Sequence, residues 1–335
     1  MINLSALDEP VSKEALTAYK KRYFPQTLVF GLSIGSLVIF GVLTVVLIYS
    51  GIAAYLHSEE QRLIGIGLVA LGLMPLLALV RLALTNRRRL LSGYLAQRIA
   101  SMNRFYYTAQ ENQNLNQGII FADQKFKDSF TYNRVASTMR SSFEIGNYYR
   151  SAGSGTDYIV GDHMYGYLRI RLNSKLPHVL LRSTSRRPSD RLGLVKVPFT
   201  DDQVLSLEGD FNKYFTLYAP KGYERDVLYI FTPDLMALFV DNVANFSAEI
   251  VDHTLYVYSG KPFDFSDRAT LERLDSILEA LSAKIMRQTN KYADYRAARV
   301  GDVAVQGRRL RQRLPLVVGF LLLIFLVTIV IAYLF

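Results

Sequence analysis

The sequence predicts a helical membrane protein with three spans that carries a soluble α+β domain built on a largely antiparallel sheet. Three observations predict it. Residues 23–56, 63–80 and 314–335 contain no Asp, Glu, Lys or Arg. The basic residues gather at one end of each of these stretches. Between the second and third lies a long block of mixed composition in which short alternating runs outnumber helical ones. The 22 residues of the last stretch reach about 33 Å as a helix, against a hydrocarbon core of about 30 Å.

Taken in order, residues 1–26 are expected to form a cytosolic segment and 27–85 a transmembrane helical hairpin. A signal-peptide core runs roughly 7–15 residues, and the first uncharged stretch is more than twice that, so it is read as a span that is kept. The second is short, but Arg81 can snorkel and residues 82–84 can extend it. Gly31 and Gly35, with Gly65, Gly67 and Gly72, offer close-packing faces within the pair or between copies. Pro75 is expected to bend the second helix. No ionisable side chain lies in the middle of any span, which argues against ion or proton transport by these helices alone.

Charge sets the orientation. Lys13, Lys20, Lys21 and Arg22 precede the first span, and Glu59, Glu60 and Arg62 occupy the short connection. Arg81, Arg87, Arg88 and Arg89 follow the second, and Arg308, Arg309, Arg311 and Arg313 lead into the third. Positive charge stays inside. The N-terminus and central domain are therefore expected in the cytoplasm of a bacterial plasma-membrane protein, and the C-terminus outside.

Residues 86–118 read as a helix, 90–110, and a linker, 111–118. Residues 119–300 form the predicted α+β domain. Leu168, Ile170 and Leu172 alternate with Arg169 and Arg171, the period of a half-buried strand. Further strands are predicted at 143–150, 157–160, 176–182, 215–218, 227–231, 248–251 and 254–258, and residues 209–218 read as a strand with an aromatic face. Thr232 with Pro233 and Asp234 opens a helix to about 243. A longer one is predicted from 267 to 299, with Leu271, Leu274, Leu278, Leu281 and Ile285 on one face. A basic juxtamembrane segment, 301–313, and the final helix, 314–335, complete the chain.

Net charge is +10, and the distribution is uneven. Residues 163–198 hold eight basic residues against Asp190 alone, whereas 199–275 hold six basic and fourteen acidic. Arg182, Arg186, Arg187, Arg191 and Lys196, together with Arg308, Arg309, Arg311 and Arg313, are the candidate contacts for anionic lipid or a partner. The alternative is that the two halves face each other with opposite charge, or are merely solvated.

Signals for chemistry are sparse. There is no cysteine, which excludes disulfides, thiolate metal sites and a thiol nucleophile. His57, His163, His178 and His253 show no metal spacing. The glycine-rich stretch 151–156 lacks the lysine of a phosphate loop and reads as a hairpin turn. Asp264, Asp267, Glu272 and Asp275 crowd the start of the long helix, where they suit the macrodipole better than a cation. Asp162 with His163, or Asp252 with His253, would be the groups of a hydrolase site. No catalytic, cofactor or metal residue is assigned, no cofactor is expected, and no nucleic-acid partner is expected. The expected partners are the bilayer, anionic lipid, and a membrane protein or a second copy.

Leu207-Glu-Gly-Asp-Phe-Asn-Lys-Tyr-Phe215, Tyr229-Ile-Phe-Thr-Pro-Asp-Leu-Met-Ala237 and Ala248-Glu-Ile-Val-Asp-His-Thr-Leu-Tyr256 belong together as a pattern, with Asp157-Tyr-Ile-Val-Gly-Asp162 and Tyr165-Gly-Tyr167. Over residues 140–290 the chain resembles uncharacterised bacterial multi-pass membrane proteins that join paired N-terminal spans to a cytosolic domain of unknown function. The resemblance implies this architecture and no reaction, cofactor or site. Many of those proteins end without a third span, so residues 314–335 would mark a subgroup. The expected function is to hold a binding or scaffold domain at the inner leaflet. The rival expectations are a membrane-bound hydrolase and an accessory subunit of a transport or secretion complex.

Overall fold

A computed structural model describes residues 2–23, 34–112, 117–121, 129–137, 143–150, 163–185 and 199–312, without the side chains of 34–37 and 82. The predicted strand at 157–160, the glycine-rich stretch at 151–156 and the predicted third span at 314–335 lie outside the described residues. The chain divides into two units, Ser5–Arg98 with Asp264–Ser266, and the rest.

The smaller unit holds α1 (Lys13–Tyr23), α2 (Ile34–His57) and most of α3 (Arg62–Met102). Among the described residues two helices are long and apolar enough to cross a membrane, Val38–His57 and Arg62–Met102. Their inner seam is glycine. A Cβ on Gly65 would stand 2.5 Å from the Gly51 carbonyl oxygen, and one on Gly72 would stand 2.9 Å from Ile48. Gly67, grouped with them in the sequence, faces open space, and Gly51 takes its place in the seam. The outer surface is apolar: Val45, Tyr49, Leu56, Leu63, Met74 and Leu77 are 65% to 81% exposed. Pro75 lies within α3 without ending it. At α1, Ser12 Oγ accepts the Ala15 N–H at 3.1 Å, and Tyr19 packs edge-on against Tyr94 of α3.

The larger unit is a seven-stranded antiparallel sheet: β1 (Tyr106–Glu111), β2 (Ser129–Ala136), β3 (Phe143–Arg150), β4 (His163–Ser183), β5 (Val204–Leu205), β6 (Phe215–Tyr218) and β7 (Ser247–Ser259). The path runs β1-β2-β3-β4-β6-β5, and β7 pairs with β4. β4 has 21 residues. β7 follows it along one edge, from Gly166↔Ser259 to Leu181↔Ala248, while β3 takes the start of the other edge and β6 its end. The residues predicted as two strands, 168–172 and 176–182, are thus one, and so are 248–251 and 254–258. The register shift between Arg171 and Val179, and Asp252 at φ +51°, absorb the bend.

Among the described residues the unit also holds α4 (Phe211–Tyr214), α5 (Glu224–Ile230), α6 (Pro233–Val243), α7 (Arg268–Thr289) and α8 (Val305–Arg308). The predicted stripe on α7 is buried, as are Leu235, Phe239 and Val243 of α6. Side chains alternate along a strand. Leu168, Ile170, Leu255 and Val257 form one buried face, and Tyr165, Tyr167, Tyr256 and Tyr258, with Tyr148, form the other. The tyrosine face is covered by Ile120, Phe121, Phe199 and Leu310.

Four predicted elements are corrected. Residues 227–230 are helix and Phe231 its C-cap, because Val227 and Ile230 are buried three apart while Leu228 and Tyr229 between them are exposed. The helix predicted over 90–110 ends at Met102: Arg104 adopts φ +55° and the Phe105 N–H reaches the Ala100 carbonyl at 2.8 Å, a left-handed cap that turns the chain into β1. α7 ends at Thr289 rather than 299, since residues 290–302 follow a series of turns. Within 209–218 only Phe215–Tyr218 is strand; Phe211 and Phe215, four apart, pack from the helical turn of α4.

Candidate functional site

Four of the nine predicted basic contacts, Arg182, Arg308, Arg309 and Arg311, fall among the described residues. Arg182 is exposed at the end of β4. Arg186, Arg187, Arg191, Lys196 and Arg313 lie outside the described residues. Arg308 is held by Asp302 at 2.9 Å and by the Val303 carbonyl at 2.8 Å. Arg309 reaches Asp252 at 2.9 Å and Gln117 at 2.8 Å. The backbone of Arg311 brackets Gln203, accepting from Nε2 and donating to Oε1, each at 2.8 Å, while its side chain is exposed.

These contacts outline a strap. Residues 302–312 cross the tyrosine face, with Val303, Gly307 and Leu310 buried and Gln312 bridging to Phe199. Lys175 ties its start, 2.8 Å from Asp302 and 3.5 Å from Asp252. Its centre rests on His178, whose Nδ1 lies 3.1 Å from the Leu310 N–H. An amide N–H can only donate, so Nδ1 accepts and the ring proton sits on Nε2. Nε2 then donates to Glu249 Oε1 at 2.7 Å. The second oxygen, Oε2, accepts from Tyr258 Oη and from the Ile119 N–H, both at 2.6 Å. One carboxylate, 1% exposed, thereby joins β4 and β7 to residues 117–121 and, through His178, to the strap. Burial and the Glu249 charge push the Tyr258 phenol far above its ordinary range.

A second buried carboxylate pins the other end of the same face. Glu144 is paired with both Arg134, through hydrogen bonds of 2.9 and 3.0 Å, and Arg169 at 3.2 Å, and it accepts from Tyr167 Oη at 2.5 Å. Burial alone would raise its pKa; the Arg134 and Arg169 guanidinium groups more than offset that and hold it below the usual carboxylate value.

A clasp precedes the strap. Asp294 accepts from Tyr223 Oη at 2.5 Å and from the Ala304 and Arg296 N–H groups. Arg296 bridges onward to Asp226, which also accepts from Tyr292 at 2.9 Å. Burial would raise Asp294, but the Tyr223 hydroxyl and the two backbone donors outweigh it and the pKa falls. Burial and Asp294 push the Tyr223 phenol up to about 12.

The arrangement fastens chain to sheet. Glu144, Glu249 and Asp294 each accept three or more hydrogen bonds from groups of the domain itself. Asp252 is ion-paired, His253 is exposed, and His163 stands at the start of β4, while Asp162 lies outside the described residues. Asp264 accepts from Ser266, and Asp267, at the N-cap of α7, accepts from the Thr270 hydroxyl without capping a backbone N–H. Among the described residues no three His, Asp or Glu side chains gather as metal ligands. A pocket of about 140 Å³ beside Phe143, Ile170 and Leu278 is well below the roughly 300 Å³ of small-molecule sites. Sequence reasoning missed the His178–Glu249 pair. Its signal was a charged residue inside an otherwise apolar run, Ala248-Glu-Ile-Val251.

The fold is therefore of the α+β class, an antiparallel sheet with helices on one face and a C-terminal strap on the other. No protein-family model matches the chain, and no curated protein matches it. Among solved structures the chain is similar to the crystal structure of the mycobacterial trehalose monomycolate transport factor A, TtfA. Identity is 12% and the TM-score 0.37, over 59% of this chain and 92% of that one. A likeness at this level carries no argument about this chain.

Proposed function

We propose that this chain is an integral membrane protein whose α2–α3 hairpin, with residues 314–335 as a third span, holds the α+β domain at the cytoplasmic leaflet as a binding or scaffold domain. One observation carries the membrane reading: the hairpin packs through glycine and turns its large apolar side chains outward, the reverse of a water-soluble helix pair. The strap supports the tethering part. It ties the stretch leading to residue 314 into the sheet, so the apolar segment would pull on the core of the domain and not on a loose linker. Holding a domain in a thin layer raises its effective concentration for membrane-bound partners.

The chain lacks cysteine, which allows a clean topology test. Glu60→Cys is expected to react with an impermeant maleimide in intact cells, and Ser276→Cys only after permeabilisation. The opposite pattern, or labelling of both in intact cells, would overturn the orientation. Cross-linking of native membranes with mass spectrometry then tests the scaffold reading, which predicts a recurrent membrane-bound partner.

A further inference from the structure

α5 is short, yet its outer face is chemically uniform. Arg225, Leu228 and Tyr229 stand at i, i+3 and i+4, on one side of the helix, with Val227 and Ile230 buried on the other. Leu228 and Tyr229 are 48% and 46% exposed. The end of α7 and the turn after it extend this surface. Gln288 Nε2 donates to the Tyr229 carbonyl at 2.6 Å, and the Tyr292 ring lies 6.4 Å from that of Tyr229. Lys291 precedes Tyr292, and Tyr295, 98% exposed, follows it.

The neighbouring carboxylates are already occupied. Asp226 is held by Arg296 and Tyr292, Asp294 by Tyr223 and Arg296, and Glu224 Oε1 accepts the Gly222 N–H at 3.0 Å. Arg225, Arg287 and Lys291 are exposed and have no ion-pair partner among the described residues. The result is a surface of aromatic and aliphatic side chains bordered by three cations without ion-pair partners among the described residues, against one exposed carboxylate, Glu224, that no described cation pairs.

We propose that this surface docks on an anionic phospholipid layer. The proposal rests on the membrane reading above, which keeps the domain beside a bilayer. Tyrosine is suited to headgroup depth because its ring is apolar and its hydroxyl wet. The three cations complement lipid phosphates, and the same charges disfavour pairing with a second copy of the surface. Arg182 lies on β4 and is not part of it.

The test uses the full chain with Ala293→Cys, an exposed position beside the tyrosines, carrying an environment-sensitive fluorophore. It is reconstituted in phosphatidylcholine vesicles, or in equal parts phosphatidylcholine and phosphatidylglycerol. Docking predicts blue-shifted emission and quenching by headgroup-depth spin-labelled lipid in the anionic vesicles. Quenching should fall several-fold in phosphatidylcholine alone, in 1 M salt, where the screening length drops to about 3 Å, and in the Arg225→Gln/Lys291→Gln variant. Tyr295→Ser, which alters no buried group, should reduce it without changing the melting temperature. Equal quenching in both lipids, or none in either, overturns the proposal. So does a cross-link from position 293 to a protein in native membranes that persists when lipid quenching is absent. Failure of the protein to float with vesicles after alkaline extraction would instead sink the membrane reading itself.

Discussion

At the scale of single residues, the tyrosine face leaves little tolerance. A Cβ on Gly118 would fall inside the radius of Tyr258 Oη and stand 3.1 Å from Glu249 Oε2. Gly118→Ala is therefore expected to lift residues 117–121 and cost about 1–3 kcal/mol, the usual range for overpacking, read as a lowered midpoint in denaturant. Glu144→Gln is the stronger test. It removes the buried charge that Arg134 and Arg169 share, while Arg134 keeps Glu111, so the expected loss is that of charge-assisted hydrogen bonds, about 1.5–3 kcal/mol. The same residue sets a pH dependence. Its folded pKa lies below its unfolded one, so its contribution is complete above the ordinary carboxylate range and fades as pH falls through the folded value. Stability measured from pH 6 to pH 3 should drop more steeply in the parent than in Glu144→Gln. Neither carboxylate was legible as a pin. Each stands in a run that shows alternation, but their partners lie 9 to 130 residues away, and no local spacing reports that.

At the scale of elements, period and length decided what could be read. The leucine stripe of α7 and the proline start of α6 are local signals, and both elements stand near their predicted bounds at the N-terminal end. The short run 227–231 was ambiguous, since four or five apolar residues fit a strand or a helical turn equally. β1 and β2 were not predicted, because Tyr106–Glu111 and Ser129–Ala136 are mixed in character and owe their form to pairing with each other and with β3. The hairpin gives a test at this scale. Gly65→Val should weaken α2–α3 packing by about 1–3 kcal/mol, whereas Gly67→Ala should leave it unchanged. Engineered cysteines across the seam report the difference as a cross-linking yield in detergent.

For the whole molecule, the decisive part is the strap, and the sequence showed only its charge. Residues 301–313 read as a basic flank of a span; that Arg308 folds back on Asp302 and Arg309 turns to Asp252, at the bend in β7, is invisible in one dimension. The clasp at its head should be separable from the rest. Tyr223→Phe removes the hydroxyl from Asp294 while keeping the ring against Arg296, which predicts a loss of about 1.5–3 kcal/mol. Limited proteolysis should then cut within residues 290–302 sooner than in the parent, with the remaining domain resistant. Equal cutting rates would mean that Lys175, His178, Gln203 and Asp252 hold the strap without help from the clasp.

The length of β4 has a consequence for how the larger unit comes apart. β3 bonds to one end of this strand and β6 to the other, but β7 pairs with it from Gly166 to Leu181, so the two ends of the sheet share one continuous strand pair. The unit should lack stable sub-fragments: calorimetric and van't Hoff enthalpies should agree, and chain breaks made near residue 173 should yield halves that recover structure only when mixed.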